Sequence, residues 1–144
     1  MDGAPRDSFD LEEFLPYRLC VAASRVSREF ADRYRREFGI SIAQWRVLAH
    51  LSQAGAVSVR EIHACVDMDK SKVSRAAAQL QSAGHITKRE NARDRRLVEL
   101  SLTPSGQDLL AQLIPIAQTY HQELRARLSG TDRELAQALI RLAD

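Results

Sequence analysis

The amino-acid sequence predicts a mainly α-helical fold that contains one small β-hairpin. In the segment 97–102, Val98, Leu100 and Leu102 recur with a period of two, which is typical of a half-buried strand. A second short strand is predicted at 85–89. Apolar residues at helical spacing occupy most of the chain before and after this pair. These patterns predict a hairpin flanked on both sides by helices.

The length and composition are those of one domain, expected to span residues 1–144. The chain has 144 residues, of which 44% are hydrophobic, enough for one sizeable core. No apolar stretch approaches the roughly 20 residues of a membrane span, and the first residues do not resemble a signal peptide. Cys20 and Cys65 fall inside helical patterns and suggest no disulfide framework. We therefore expect a cytoplasmic protein with no membrane partner.

The first long helix is predicted at about 10–38. Its apolar residues recur at spacings of three and four, on one stripe: Leu11, Leu15, Leu19, Ala22, Val26, Phe30, Tyr34 and Phe38. Asp10 followed by Glu13 predicts a capping box, and Pro16 predicts a kink or restart because it lacks an N–H. Gly39 is expected to end the helix.

Further capping signals divide the middle of the chain into short helices. Ser41 with Gln44, Ser58 with Glu61 and Thr131 with Glu134 predict helices near 42–53, 59–65 and 132–143. Asp69 is expected to cap a polar helix that runs to about residue 83. Two short helices joined by a tight turn make a helix-turn-helix. With the hairpin as a wing, residues of about 42–102 are predicted to form a winged helix-turn-helix core.

The terminal helices predict a dimer. Thr103 caps a long helix with Pro104 at its first position, where proline is favoured. Its apolar stripe, like that of the first helix, is longer than the small winged core can cover. Apolar helices at chain ends usually find a partner. The regions of about 10–38 and 103–144 are therefore expected to be dimerisation helices of a homodimer.

The positive charge is concentrated in one segment, which indicates a nucleic-acid partner. Residues 69–96 hold eight basic and three acidic residues, a net charge of +5 in a chain whose total is +2. Charge focused in this way suits a phosphate-binding surface. A polar helix followed by an arginine-bearing hairpin can occupy the major and the minor groove of duplex DNA.

The order of elements and two motifs resemble the MarR family of bacterial transcription regulators over essentially the whole chain. The wing motif of that family appears as Asp94-Arg95-Arg96 followed by Leu100-Ser101-Leu102-Thr103 and Gly106. The recognition-helix motif resembles Met68-Asp69-Lys70-Ser71-Lys72-Val73-Ser74-Arg75. This resemblance implies a homodimer that binds a pseudo-palindromic operator, usually represses, and releases DNA when a small ligand or an oxidant acts on it.

The same resemblance assigns roles to DNA-contacting residues. Arg96 matches the wing arginine that enters the minor groove, which suits a guanidinium, and Asp94 matches the acid that braces the wing. Major-groove positions are matched by Ser71, Lys72, Ser74 and Arg75. Phosphate contacts, which position without specifying sequence, are expected from Lys70, Lys88, Arg89, Arg93 and Arg95.

For the effector, the resemblance implies an aromatic carboxylate or phenol bound between the dimer helices and the winged core. Candidate contacts are Tyr17, Arg18, Trp45, Arg46, His50 and His63. Trp45 and His50 offer ring surfaces, and Arg18 offers a fork for a carboxylate. The alternatives are that Trp45 belongs to the core and that Arg18 is a snorkelling or ion-paired residue.

Cys20 suggests a second trigger. Cys20 early in the first helix, with Tyr34 fourteen positions later, resembles the branch of the family that senses organic hydroperoxides. The chain departs from that pattern because position 24 is Ser24 and not tyrosine. A buried cysteine would be inert. The histidines show no ligand-like spacing with the cysteines, so neither a metal nor another cofactor is expected.

Other function classes fit the sequence poorly. No phosphate loop, nucleophile elbow or pair of catalytic carboxylates is recognisable, so we expect no enzyme. An architectural DNA binder would carry a larger overall positive charge and apolar insertion wedges.

Overall fold

A computed structural model of the chain describes residues 9–58, 60–62, 68–90, 92–94 and 98–144. Its helices are α1 (Leu15–Phe38), α2 (Ile42–Ala54), α3 (Lys70–Ser82), α4 (Pro104–Arg127) and α5 (Asp132–Ala143). Its strands are β1 (Val57–Ser58), β2 (Ile86–Glu90) and β3 (Val98–Leu102). Residues 60–62 are also helical, inside the region predicted as the helix 59–65. None of the described helices is both long enough and apolar enough to span a membrane.

The predicted hairpin is present and belongs to a three-stranded antiparallel sheet. Strands β2 and β3 pair from Ile86 opposite Leu102 to Glu90 opposite Val98. The sheet order is β1-β3-β2, because Val57 pairs with Leu100 on the other side of β3. Strand β1 was not predicted, since a strand of two residues shows no alternation. The mainly α-helical fold class with a small β wing is confirmed.

The winged core is closed by apolar side chains from α2, α3 and the sheet. Val47 and Leu48 of α2, Val73 and Leu80 of α3 and Leu100 of β3 are each at most 1% exposed. Burying a side chain of this size contributes roughly 1.5–3 kcal/mol to folding. This packing leaves the opposite face of α3 free for another partner.

Aromatic rings join this core to the two long helices. Phe30 of α1 stacks on Tyr120 of α4 with ring centroids 5.6 Å apart, and it packs edge-to-face with Trp45 of α2 at a centroid distance of 5.2 Å. Tyr34 lies against both Phe30 and Trp45 and is 1% exposed. The alternative reading of Trp45 as a core residue is therefore the one that the structure favours.

The helix ends agree only partly with the capping signals. The side chains of Ser41, Ser58 and Thr103 accept hydrogen bonds from the backbone N–H three residues on, as predicted. The predicted cap at Thr131 is wrong, because its hydroxyl donates to the Leu128 carbonyl, and the Asp69 side chain makes no cap hydrogen bond either.

The predicted start of the first helix near residue 10 is also wrong. Asp10 forms a separate turn in which its carboxylate accepts from the Glu12 N–H. Helix α1 begins at Leu15, with Pro16 in its first turn, where the missing N–H costs no hydrogen bond. Gly39 ends the helix in the left-handed conformation at φ +67°, as expected.

Candidate nucleic-acid interface and adjoining cavity

The predicted recognition helix, α3, is divided lengthwise into a core face and a solvent face. Val73, Ala76, Ala77 and Leu80 are buried at the spacing of one helical stripe. The five α3 residues predicted to contact DNA are all exposed: Lys70, Ser71, Lys72, Ser74 and Arg75. A polar face with two lysines and an arginine at its N-terminal end matches the geometry of a helix that enters the major groove.

The wing carries the second group of predicted contacts. Lys88 and Arg89 lie on β2 and are exposed, as are Arg93 and Asp94 between the strands. Arg95 and Arg96 lie outside the described residues. Since β2 follows α3 after a turn of three residues, the exposed cations of both elements belong to one continuous part of the chain.

A cavity of about 840 Å³ lies between α1, α2 and the start of α3. Its cationic lining consists of Arg28 and Arg35 from α1, Arg46 from α2 and Lys72 from α3. Asp69 is the acidic side chain in this lining, and Ser24, Ser27 and Ser41 add hydroxyl groups. Four cations against one carboxylate make the cavity suited to an anion, above all a carboxylate.

Comparisons with known proteins agree with this architecture. A model of the MarR family matches residues 38–97, from the last residue of α1 to the residue before β3. The transcriptional repressor MprA of Escherichia coli (strain K12) is 25% identical over 137 residues, which cover 94% of this chain and 78% of MprA. Residues 38–97 thus match the MarR family, and the chain is similar to proteins of this family over nearly its whole length.

Solved structures of MarR-family proteins share the fold over nearly the whole chain. SPO1453 from Silicibacter pomeroyi DSS-3, a MarR family transcriptional regulator, superimposes with a TM-score of 0.80 at 26% identity, covering 95% of this chain and 100% of its own. Bordetella bronchiseptica BpsR, whose DNA binding is regulated by 6-hydroxynicotinic acid, gives a TM-score of 0.82 at 24% identity, covering 94% and 96%. The chain is therefore similar in sequence and in fold to MarR-family transcriptional regulators.

The structure of the single chain does not bring the predicted effector contacts together in one cavity. Arg46 lines the large cavity, whereas Tyr17 and Arg18 line a separate cavity of about 420 Å³ between α1 and the end of α4. Trp45 and His50 line neither cavity, and His63 lies outside the described residues. Tyr17 and Arg18 thus lie apart from Arg46 in the single chain, because α1 is long enough to carry two separate cavities. The six effector contacts remain predictions.

Sequence reasoning missed Arg28 and Arg35, the two α1 arginines of the large cavity. They lie seven positions apart, which is close to two helical turns, so they occupy one face of α1. This spacing was the signal available in the sequence, because it places two arginines together on a face of α1 that is separate from the apolar stripe.

Cys20 is exposed on α1, so the alternative of a buried thiol does not apply to the single chain. Tyr34 lies fourteen residues further along the same helix, which is about 21 Å at 1.5 Å per residue. The two side chains of one chain therefore do not meet. In the described residues no group of histidine, cysteine and carboxylate side chains is arranged to hold a metal.

Polar contacts fix α4 against α1 beside these cavities. The Tyr120 hydroxyl donates to Glu29 at 2.8 Å, and Arg127 donates to the same carboxylate at 3.0 Å. Hydrogen bonds from Arg127 and then Tyr120 hold the pKa of Glu29 below its usual value. Arg33 pairs with Glu123 and lies 4.8 Å above the Tyr120 ring. The long helices are thus attached to each other by both rings and charges.

Proposed function

We propose that this protein is a homodimeric repressor of the MarR family that binds a pseudo-palindromic operator and releases it when a small aromatic acid binds. The observation that supports DNA binding most directly is the exposed cationic face shared by α3 and β2. Repression is proposed because MprA, a relative over nearly the whole chain, is a transcriptional repressor. Such a protein would act in the cytoplasm, where its operator is accessible.

Homodimerisation is supported by the apolar surface at the two ends of the chain. No residue of α5 is buried, although Leu135, Leu139 and Leu142 form one stripe and are 41–60% exposed. Phe9, Leu11, Phe14 and Leu15 at the other end of the chain are also more than 40% exposed. A second copy would cover these surfaces and place two recognition helices on one face of the duplex.

The proposed effector site is the cavity between α1, α2 and α3. A monocarboxylate could accept paired hydrogen bonds from an arginine there, and Ser27 and Ser41 could bind a ring hydroxyl. The acid that regulates BpsR, 6-hydroxynicotinic acid, belongs to this chemical class. An aromatic acid is therefore the effector class that the lining favours.

Binding in this cavity would be linked to DNA binding through Lys72. This side chain lines the cavity and is also on the exposed face of α3. An anion that engages Lys72 competes with DNA for the same charge. Because an effector shifts an equilibrium only by its difference in affinity for two states, this competition is a sufficient cause of release.

The test is a gel-shift assay with duplexes selected from a random library, followed by titration with 6-hydroxynicotinic acid and other aromatic acids. Arg46→Gln should bind DNA but require at least tenfold more acid for release, because the larger cavity loses a guanidinium. Arg18→Gln, which alters the smaller cavity, should release like wild type. The fluorescence of Trp45, the single tryptophan, gives an independent reading of acid binding. If Arg18→Gln loses release and Arg46→Gln does not, the effector site lies in the smaller cavity.

The second candidate is a peroxide-sensing repressor that acts through Cys20, because the thiol is exposed. It predicts that a hydroperoxide releases wild type from DNA and that Cys20→Ser does not respond. Release by aromatic acids from Cys20→Ser, with no response of wild type to hydroperoxide, would exclude this candidate.

A further inference from the structure

Three elements of the protein meet at one joint: the end of α3, the base of the wing and the start of α4. Gly84 follows α3 with φ +81°, and the His85 N–H then donates back to the Leu80 carbonyl at 2.9 Å. The His85 carbonyl accepts from the Thr103 N–H at 3.1 Å. The chain therefore returns from the wing to within one hydrogen bond of the point where it left the recognition helix.

The Thr103 side chain connects α4 directly to the end of α3. Its hydroxyl oxygen accepts from the Gly106 N–H at 3.0 Å, which caps α4. The same hydroxyl donates to the Gly84 carbonyl at 2.6 Å. One side chain thus accepts from α4 and donates to the turn that follows α3, so α4 cannot rotate relative to this turn without breaking a hydrogen bond.

Gly106 brings α4 into direct contact with the wing. A Cβ atom at this position would lie 2.0 Å from the His85 carbonyl oxygen and 2.9 Å from its carbon. Both are backbone atoms, and the oxygen already accepts from the Thr103 N–H, so they cannot move aside as the end of a flexible side chain would. The absence of a side chain at Gly106 is what allows α4 to pack at this angle.

The angle matters because α4 is a long lever. Its 24 residues extend about 36 Å at 1.5 Å per residue, towards the chain end whose apolar surface we assign to the dimer. A rotation of about 5° at the joint moves the far end of such a helix by about 3 Å, close to the 3.4 Å rise of one base pair. A small rotation at the joint therefore displaces the far end of α4 by about the rise of one base pair.

We propose that Thr103 and Gly106 are positioning residues that fix the direction of α4 relative to the recognition helix and wing, and so set the half-site spacing that the dimer accepts. This inference rests on the proposed homodimeric operator binding. Neither residue contacts DNA in this proposal. They act through the joint, and their effect is expected on spacing and not on the preferred bases.

The experiment compares operators whose half-sites are moved apart or together by one base pair. The parent duplex is the sequence that wild type selects from a random library, and Kd is measured by fluorescence anisotropy. Thr103→Val removes both side-chain hydrogen bonds at nearly constant volume. Thr103→Ser keeps the hydroxyl and is the matched control.

For wild type, we expect the Kd to be about tenfold lower at the parent spacing than at the altered spacings. For Thr103→Val, this ratio of Kd values should be at least threefold smaller. Thr103→Ser should stay within twofold of wild type. Gly106→Ala should shift the preferred spacing, because the added Cβ displaces the His85 carbonyl. The base preference within each half-site should remain that of wild type in every variant.

The possible outcomes separate this inference from the proposed function. If wild type selects no duplex, the proposed function fails. If wild type prefers one spacing, and the variants that form dimers by sedimentation keep that preference within twofold, the positioning role is overturned. If Thr103→Val fails to fold, Gly106→Ala alone tests the positioning role. If Gly106→Ala fails to fold, Thr103→Val alone tests it.

Discussion

Tyr34 is a titratable side chain that packing removes almost completely from water. It is 1% exposed, and burial raises its pKa to about 12, while the charges of Arg35 and Arg46 act in the opposite direction. Because the pKa in the folded state lies above that in the unfolded state, the unfolded chain releases this proton first. The contribution of the protonated Tyr34 hydroxyl to the free energy of unfolding is complete below pH 10. It is lost as the pH rises from about 10 to about 12.

We therefore predict that Tyr34→Phe resists alkali better than wild type. The substitution keeps the ring against Phe30 and Trp45 but removes the titrating hydroxyl. Between pH 9 and pH 12, the free energy of unfolding of Tyr34→Phe should fall by about 2 kcal/mol less than that of wild type does. Urea unfolding monitored by circular dichroism, at one protein concentration, measures the difference. Identical pH profiles would mean that Tyr34 ionises equally in both states.

At the scale of elements, α5 has an apolar stripe and no buried residue, so its stability in water depends on a partner. Isolated helices of this length are marginal, and most helical stability comes from packing an apolar face. Leu139 lies in the middle of the stripe and is 46% exposed in the single chain. Gln137 lies on the polar face of the same helix.

We predict that Leu139→Asp weakens the dimer and that Gln137→Asp does not. Both substitutions add one carboxylate to α5, so only its placement differs. A carboxylate buried between two copies loses hydration without a partner, which costs several kcal/mol. Analytical ultracentrifugation should show monomer for Leu139→Asp at micromolar concentration and dimer for the control. A dimer in both cases would move the interface away from this stripe.

At the scale of the whole molecule, the net charge of +2 conceals a strongly polarised chain. The segment 69–96 carries +5, so the remainder is acidic with a net charge of −3. A protein of this kind is attracted to phosphates on one face and repelled on others. Orientation on the duplex is therefore expected from electrostatics before any base is contacted.

We predict that operator affinity falls steeply with salt, because each neutralised phosphate releases condensed counterions. Lys88→Ala should reduce the slope of log K against log salt by about 1 per protomer and weaken all duplexes alike. Arg75→Ala should cost about 1–3 kcal/mol and also relax the preference at the centre of the half-site. Anisotropy titrations across a range of salt concentrations test both. A flat salt dependence in wild type would contradict the phosphate-binding role of this segment.

Much of the fold could be predicted from the sequence, because the patterns that indicate it are local. The alternation at Val98, Leu100 and Leu102, the caps at Ser41 and Thr103 and the family motifs each lie within a few residues. The DNA contacts assigned from the motifs remain predictions, and all of those within the described residues are exposed. The effector contacts also remain predictions. In the single chain Arg18 and Arg46 line different cavities, because a cavity gathers side chains from helices that are distant in sequence.

Spacing or composition along the chain is enough to predict most of the helices, the hairpin, the charged segment and the resemblance to the MarR family. The tertiary fold alone shows which side chains share a space. It placed Trp45 against Phe30, separated Arg18 from Arg46 into two cavities, and brought Gly106 against the His85 carbonyl. These contacts could not be predicted because they depend on how helices pack across the core, and no periodicity within one helix specifies its neighbour.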